Sequence, residues 1–297
     1  MLTLFSQTFF AEFPTFSFYN FIMRRYTFQI TLLALILCAS CKQKATTNQD
    51  LAQDAAASNV ETSQALAPEP LDLDDNDNYT YDLVVDGIDN PWGFDWLPDG
   101  SMLITEKSGT LYHAVNGKKT EIKNMPSVYN RGQGGLLDVK VHPKYEENGY
   151  IFITYASEEG EGKGGNTALI RAELKDNALV NIKNLYKATP NTTRGQHFGS
   201  RIVIDDAGFV YFTIGERGNR DENPQDITCD GGKLYRLNAD GSIPDDNPFV
   251  GQDGAREAIW SYGHRNPQGM DIHPETKKIW LHEHGPKGGD EINIPKK

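Results

Sequence analysis

The chain has 297 residues, 29 basic against 41 acidic side chains, a formal net charge of -12 and 38% hydrophobic residues. This length excludes peptide-sized and disulfide-stapled classes, and the negative balance excludes a surface built to follow a phosphate backbone, so no nucleic-acid partner is expected. With 28 Gly, 15 Pro and 3 Cys, two of them (Cys38 and Cys41) near the start, the composition favours short strands joined by tight turns and leaves Cys229 no disulfide partner.

Met23-Arg24-Arg25 precedes an apolar run from Tyr26 to Leu37 that ends in Cys38-Ala39-Ser40-Cys41, the layout of a secretory signal. A helix over that run would span about 18 Å, too short for a bilayer core of about 30 Å. Ala39 and Ser40 ahead of Cys41 resemble a bacterial lipobox, with Cys38 in place of the usual Leu. The expectation is that Cys41 is acylated and becomes the mature N-terminus, plain cleavage being the alternative. Residues 1–22, ahead of a better start at Met23, read as a misplaced initiation or an extended leader. The protein is therefore expected to be exported and held to the cell envelope by lipid, on its periplasmic or surface side.

Residues 42–78 are Ala, Thr, Gln, Asn, Asp and Pro with no clustering of aromatic or β-branched side chains, so they cannot bury enough surface to order themselves and read as a disordered acidic tether. Asp72, Asp74 and Asn76 have the alternate spacing of a calcium loop, but Asp77 stands where an EF-hand requires Gly. A solvated acid run is the better reading.

A repeat organises residues 79–297. The segments starting at Pro91 and Pro267 both run Pro-x-Gly-x-Asp-x-x-Pro, followed without a gap by a Gly at 109 and 285. Weaker copies cover Gly134 to Tyr155 and Gly199 to Gly215. Each alternates apolar with polar residues, turns at a Pro/Asp/Gly cluster and continues into an Ile/Tyr/Phe/Val-rich run, the pattern of a β-meander. Such units cannot bury both faces alone, and sheets set around a channel are the usual solution. The fold class is all-β, a β-propeller with about four blades in this chain; a solenoid is the rival. The last copy stops after Lys297 with no strand to latch onto the first, so the chain reads as C-terminally truncated.

Among side chains able to carry chemistry, His113, His142 and His273 sit in or beside turns and read as surface or packing residues. His282 and His284 alternate on one predicted strand, half of a metal site with no third ligand placed. Gly160, Gly162 and Gly165 form a lone G-x-G-x-x-G, but Glu158, Glu159 and Glu161 would repel a pyrophosphate and no βαβ alternation follows. His197, in Arg194-Gly195-Gln196-His197-Phe198-Gly199, enters a strand from a Gly-flanked loop. Such a loop can turn a side chain into a propeller's central mouth, where an imidazole serves as general base.

Five segments, starting at Gln133, His197, Gly231, Ser261 and His282 and including "HFGSRIVIDDAGFVYFTIGERG", "SYGHRNPQGMDIHP" and "HEHGPKGGDEINI", resemble in order the pyrroloquinoline-quinone-dependent soluble aldose sugar dehydrogenases of the glucose/sorbosone dehydrogenase family. The resemblance implies a six-bladed β-propeller, about two blades of it absent here. It implies an enzyme that oxidises the anomeric hydroxyl of an aldose to a lactone, with quinone and calcium as cofactors and an electron acceptor beyond. By the same resemblance His197 is the catalytic base, Gln133 contacts the quinone, and Arg265 and Asn266 lie beside its reactive carbonyls. Gly285 and Pro286 offer backbone carbonyls to the catalytic calcium, and Glu291 is a carboxylate of a second calcium site. Gln196 and Glu216 depart from the glucose-oxidising branch, which has an acid before the histidine and a shorter acid at the second position, so the sugar is open. The family's lysine and arginine anchors for the quinone carboxylates fall on later blades, so the present fragment is expected to bind quinone weakly and to be poorly active by itself. The rival is a non-catalytic propeller that binds a glycan or protein.

Overall fold

A computed structural model of the chain describes residues 81–297; the signal segment, Cys41 and residues 42–78 lie outside the described residues. Four antiparallel sheets follow one another along the chain. The first contains β1 (Pro91–Trp96), β2 (Met102–Glu106), β3 (Thr110–Val115) and β4 (Lys118–Glu121), and the second β5 (Leu136–Val141), β6 (Tyr150–Ser157), β7 (Asn166–Lys175) and β8 (Ala178–Lys187). The third contains β9 (Ile202–Ile204), β10 (Val210–Ile214), β11 (Lys233–Leu237) and β12 (Ile259–Tyr262), and the fourth β13 (Pro267–Ile272), β14 (Ile279–Glu283) and β15 (Glu291–Asn293). Each sheet is a meander in sequence order, and the first strands β1, β5, β9 and β13 are neighbours in turn. These are blades of a β-propeller.

The sequence repeat has a physical cause. Both Pro-x-Gly-x-Asp copies place the same register shift, between Pro91 and Gly93 and between Pro267 and Gly269. A side chain on either glycine would collide with a neighbour: the Asp138 carboxylate would lie 2.5 Å from a Cβ on Gly93, and the His282 ring fills the corresponding space over Gly269. Asp95 uses its carboxylate twice, accepting from Trp96 N–H at 3.0 Å and from Val141 N–H of the next blade at 2.8 Å.

The core lies between blades, because alternate residues of a strand face opposite sides of its sheet. In β6, Ile151 and Ile153 join the cluster with Leu103 and Leu111 of the first blade, while Phe152 joins Phe212 and Tyr235 of the third. Val203, Tyr211 and Leu234 then meet Met270 and Leu281. Burying such a side chain contributes roughly 1.5–3 kcal/mol before ordering costs.

A polar latch crosses each of these apolar joints. The buried hydroxyls of Thr105, Thr154 and Thr213, all on second strands, donate to the carbonyls of Leu137 (2.5 Å), Ser200 (2.7 Å) and Pro267 (3.1 Å) in the following blade. Arg201, just ahead of β9, reaches the other blades. Its Nη1 meets Asp138 Oδ1 at 2.7 Å, its Nε donates to Gln268 O at 3.1 Å, and its guanidinium carbon lies 4.6 Å from the Trp92 ring centroid. Burial, opposed by Arg201, lifts the Asp138 carboxyl to about 6.

The remaining sequence expectations resolve simply. The G-x-G-x-x-G stretch links β6 to an antiparallel β7, with Gly160 and Gly162 at φ +93, so it opens no helix. His284 faces Asp290 at 3.4 Å, and no group of three or more His, Cys, Asp or Glu that could hold a metal gathers among the described residues. His113 bridges Ser101 and Asn177 at 2.8 and 3.1 Å, and His273 accepts from the turn N–H groups of Glu275 and Thr276. Cys229 is free.

Candidate active site

His197 lies in the loop from β8 to β9 with a left-handed backbone, φ +57. Two bonds tie that loop to the one before β5: His197 N–H donates to Gln133 Oε1 at 2.7 Å, and Gln133 N–H donates to Gly195 O at 2.7 Å. The loops touch backbone to backbone, since a Cβ on Gly132 (φ +60) would overlap Gly195. Gln133 therefore holds the histidine's main chain as well as lining the cleft beside it.

The ring is held from the other side. His197 Nδ1 lies 2.5 Å from Glu216 Oε1, with side-chain exposures of 12% and 2%. Burial alone would lift the Glu216 carboxyl, but the hydrogen bond and charge of His197, with the N–H groups of Asn219 and Gly218, outweigh it and hold the group below the usual carboxylate range. An anionic Glu216 on Nδ1 keeps that proton in place, and Nε2 has no partner among the described residues. Glu216 Oε2 is also buried without a partner.

A second pair in the fourth blade has the same 19-residue spacing. His264 Nδ1 meets Glu283 Oε1 at 2.9 Å. Here every group is used: His264 Nε2 lies 3.0 Å from Ser261 Oγ, and Glu283 also accepts from Arg265 N–H at 2.5 Å and Asn293 Nδ2 at 2.9 Å. That satisfied pair is structural, whereas His197 and Glu216 keep one free atom each. The common spacing was visible in the sequence, but only the partners distinguish the pairs.

Arg265 and Asn266 belong to the same network. Arg265 O accepts Glu216 N–H at 2.8 Å, and Arg265 Nη1 donates to His284 O at 2.7 Å and to Gly285 O at 3.3 Å, leaving its buried Nε without a partner. Asn266, buried, accepts from Gly199 N–H at 3.3 Å and from Gln268 Nε2 at 3.2 Å. Between these groups lies a cleft of about 260 Å³, lined by Trp92, Lys107, Gln133, Phe198, Asn266, Gln268 and His284 among others. No acid lines it, in a chain of net charge -12. Aromatic walls and a lysine suit a flat anion. Two larger depressions lie elsewhere, about 600 Å³ between the turns of the first two blades and about 450 Å³ along the inner strands; neither contains this network.

Gly285 and Pro286 begin a 3₁₀ turn after β14. Gly285 O receives Arg265, Pro286 O accepts Gly289 N–H at 3.1 Å, and each carbonyl keeps a second lone pair for a hard cation. Glu291 is exposed at the start of β15, accepting from Asn293 Nδ2 at 3.1 Å, away from that pair of carbonyls in the bonding pattern.

The four blades and this histidine–carboxylate pair can be set beside known proteins: the family model for glucose/sorbosone dehydrogenases matches residues 88–297. The chain belongs to that family. It is 42% identical over 221 residues to aldose sugar dehydrogenase YliI of Escherichia coli, an alignment covering 73% of this chain and 59% of that protein. The apo crystal structure of the soluble E. coli aldose sugar dehydrogenase superposes with a TM-score of 0.69 at 41% identity, covering 73% of this chain and 63% of the other. The PQQ-bound aldose sugar dehydrogenase of Streptomyces coelicolor gives 0.62 at 28% identity, over 72% and 62%. The chain thus spans about three fifths of the length of these relatives.

Proposed function

We propose that the protein oxidises the anomeric hydroxyl of an aldose to the lactone, using pyrroloquinoline quinone and calcium and passing electrons to a further acceptor. The observation that carries this reading is the His197–Glu216 pair with Nε2 unclaimed, next to a cleft lined by Lys107, Trp92 and Phe198 and by no acid. When bound, the quinone supplies a two-electron acceptor for the hydride leaving the sugar carbon. Trp92 and Phe198 would flank it, Lys107 and Arg265 would meet its negative charge, and Gln133 and Asn266 would fix its edge. Calcium would be held by the carbonyl oxygens of Gly285 and Pro286, where it would act as a Lewis acid; Glu291 would serve a second calcium.

The chain's own residues do the proton chemistry. His197 Nε2 accepts the proton of the anomeric hydroxyl. Glu216 holds the proton on Nδ1, orients the ring and stabilises the imidazolium that forms. Gln133 fixes the histidine main chain, so base and cleft keep one geometry.

In full-length protein, dye reduction by an aldose should appear only after quinone and calcium are added and should vanish with chelator. His197→Ala should lower kcat by about 100-fold to 10,000-fold while quinone affinity holds. Equal activity with nicotinamide cofactors would refute the reading, and a variant keeping more than about a tenth of wild-type kcat would move the base elsewhere. We also propose that Cys41 is the lipidated residue that anchors the exported protein to the cell envelope. Labelled palmitate should enter the wild type and not Cys41→Ser, and label kept by the variant would discard the anchor.

A further inference from the structure

Arg217 follows Glu216 and is 1% exposed, among the largest side chains withdrawn from solvent. No carboxylate pairs with it among the described residues. Its guanidinium instead donates to main-chain carbonyls, those of Gln196, Arg194 (2.9 Å) and Gly165 (3.1 Å), and to Thr192 Oγ1 at 3.3 Å. Its carbon lies 3.4 Å from the centroid of the Phe198 ring, and its Nε has no partner. Burial brings it down to about 10, so it stays a cation at neutral pH.

A buried cation without a carboxylate is costly, and stability alone is a weak reason to keep one. Three of its four acceptors belong to residues 192–196, the stretch that delivers His197. Carbonyls of Arg194 and Gln196 aimed at one spot repel each other unless a multidentate donor stands there, and the planar guanidinium is such a donor. The backbone on both sides is left-handed, with φ +57 at His197 and φ +58 at Arg217. A non-glycine residue so held is strained and persists only where its surroundings over-determine it. In the fourth blade Glu283 is followed by His284, and its satisfied histidine has no such staple.

We propose that Arg217 is a positioning residue for His197: Glu216 fixes the ring, Arg217 fixes the loop that carries it, and the two adjacent residues set the place of Nε2 together. This rests on reading His197 as the base.

The test compares the full chain with Arg217→Met and Arg217→Lys, each checked for a native circular dichroism spectrum. The first readout needs neither quinone nor sugar. The short His197 Nδ1–H···Glu216 bond should give a far-downfield proton resonance that is lost in Glu216→Gln, and it should move or vanish in Arg217→Met. The second readout is turnover: kcat should fall about 100-fold with KM within about threefold, the signature of a displaced group and not of lost sugar binding. Arg217→Lys should recover part of both, and millimolar guanidinium should recover part of kcat in Arg217→Ala. Folded Arg217→Lys and Arg217→Met with an unmoved resonance and kcat within about threefold of wild type would overturn the proposal. If full-length wild type shows no quinone-dependent aldose oxidation, the functional reading fails and the resonance alone decides the role of Arg217.

Discussion

Replacing Arg201 by Met should destabilise the propeller in a way that depends on pH. The substitution leaves Asp138, 3% exposed, as a buried carboxylate without its counter-ion, an event that costs about 3–5 kcal/mol at neutral pH. Loss of the stacking on Trp92 adds about 0.5–1 kcal/mol, and partial exposure of Arg201 (28%) and the apolar packing of Met offset some of this. About 4 kcal/mol is the expected total, which at roughly 2–4 °C per kcal/mol for a domain of this size is a drop of roughly 8–16 °C in Tm. The carboxyl of Asp138 already stands at about 6 instead of its ordinary 3.8. Because the folded value is the higher one, the folded state binds the proton more tightly, and stability from this group is present at low pH and lost as pH rises through about 6. Removing Arg201 lifts the value further, so the penalty should grow as pH rises from 5 toward 8 and be smallest at pH 5, where Asp138 holds its proton with or without Arg201. Denaturant unfolding of wild type, Arg201→Met and Arg201→Met with Asp138→Asn at both pH values is the assay, and the second substitution should return part of the loss. A penalty that is equal at the two pH values, or larger in acid, would show that the pair is not what Arg201 contributes.

Glu216→Gln should cut kcat by at least about tenfold with a smaller change in KM, because the amide can present its N–H to Nδ1 and release the wrong tautomer; unchanged turnover would mean the ring is oriented without it. Thr154→Val should cost about 1–3 kcal/mol in chemical denaturation, since the Ser200 carbonyl stays buried without its donor. A neutral result there would show that water or a backbone shift replaces the latch.

The blades were readable in the sequence because a meander buried on both faces needs alternation, a turn cluster and, at Gly93 and Gly269, a residue without a side chain under a neighbour. His197 was readable from its Gly-flanked loop and from the family resemblance, and Gln133, Arg265 and Asn266 from the resemblance. The partners were not. Glu216 was visible as an acid at an expected position, yet that it grips Nδ1 depends on the left-handed turn at His197, which no local pattern specifies. Gln133 looked like a cofactor contact, and its bond to His197 N–H arises only because two glycines let the loops touch. Arg217 carried no signal, since three of its four acceptors are main-chain carbonyls and carbonyls have no letter in a sequence.

The three threonine latches divide the labour of the chain. Each joins a strand interior of one blade to the inner strand or its lead-in in the next, so cohesion is passed from neighbour to neighbour, as in a chain of links. The candidate site residues His197, Arg265 and Asn266 stand on connecting loops, and of the latches only that on Ser200 touches one of these loops, at its end just before β9. Loops can therefore lengthen, shorten or change chemistry ahead of these points while the links stay the same. A broken link should in turn be felt locally: hydrogen exchange after Thr154→Val should quicken in the two blades it joins and leave β13 and β14 at their native rates.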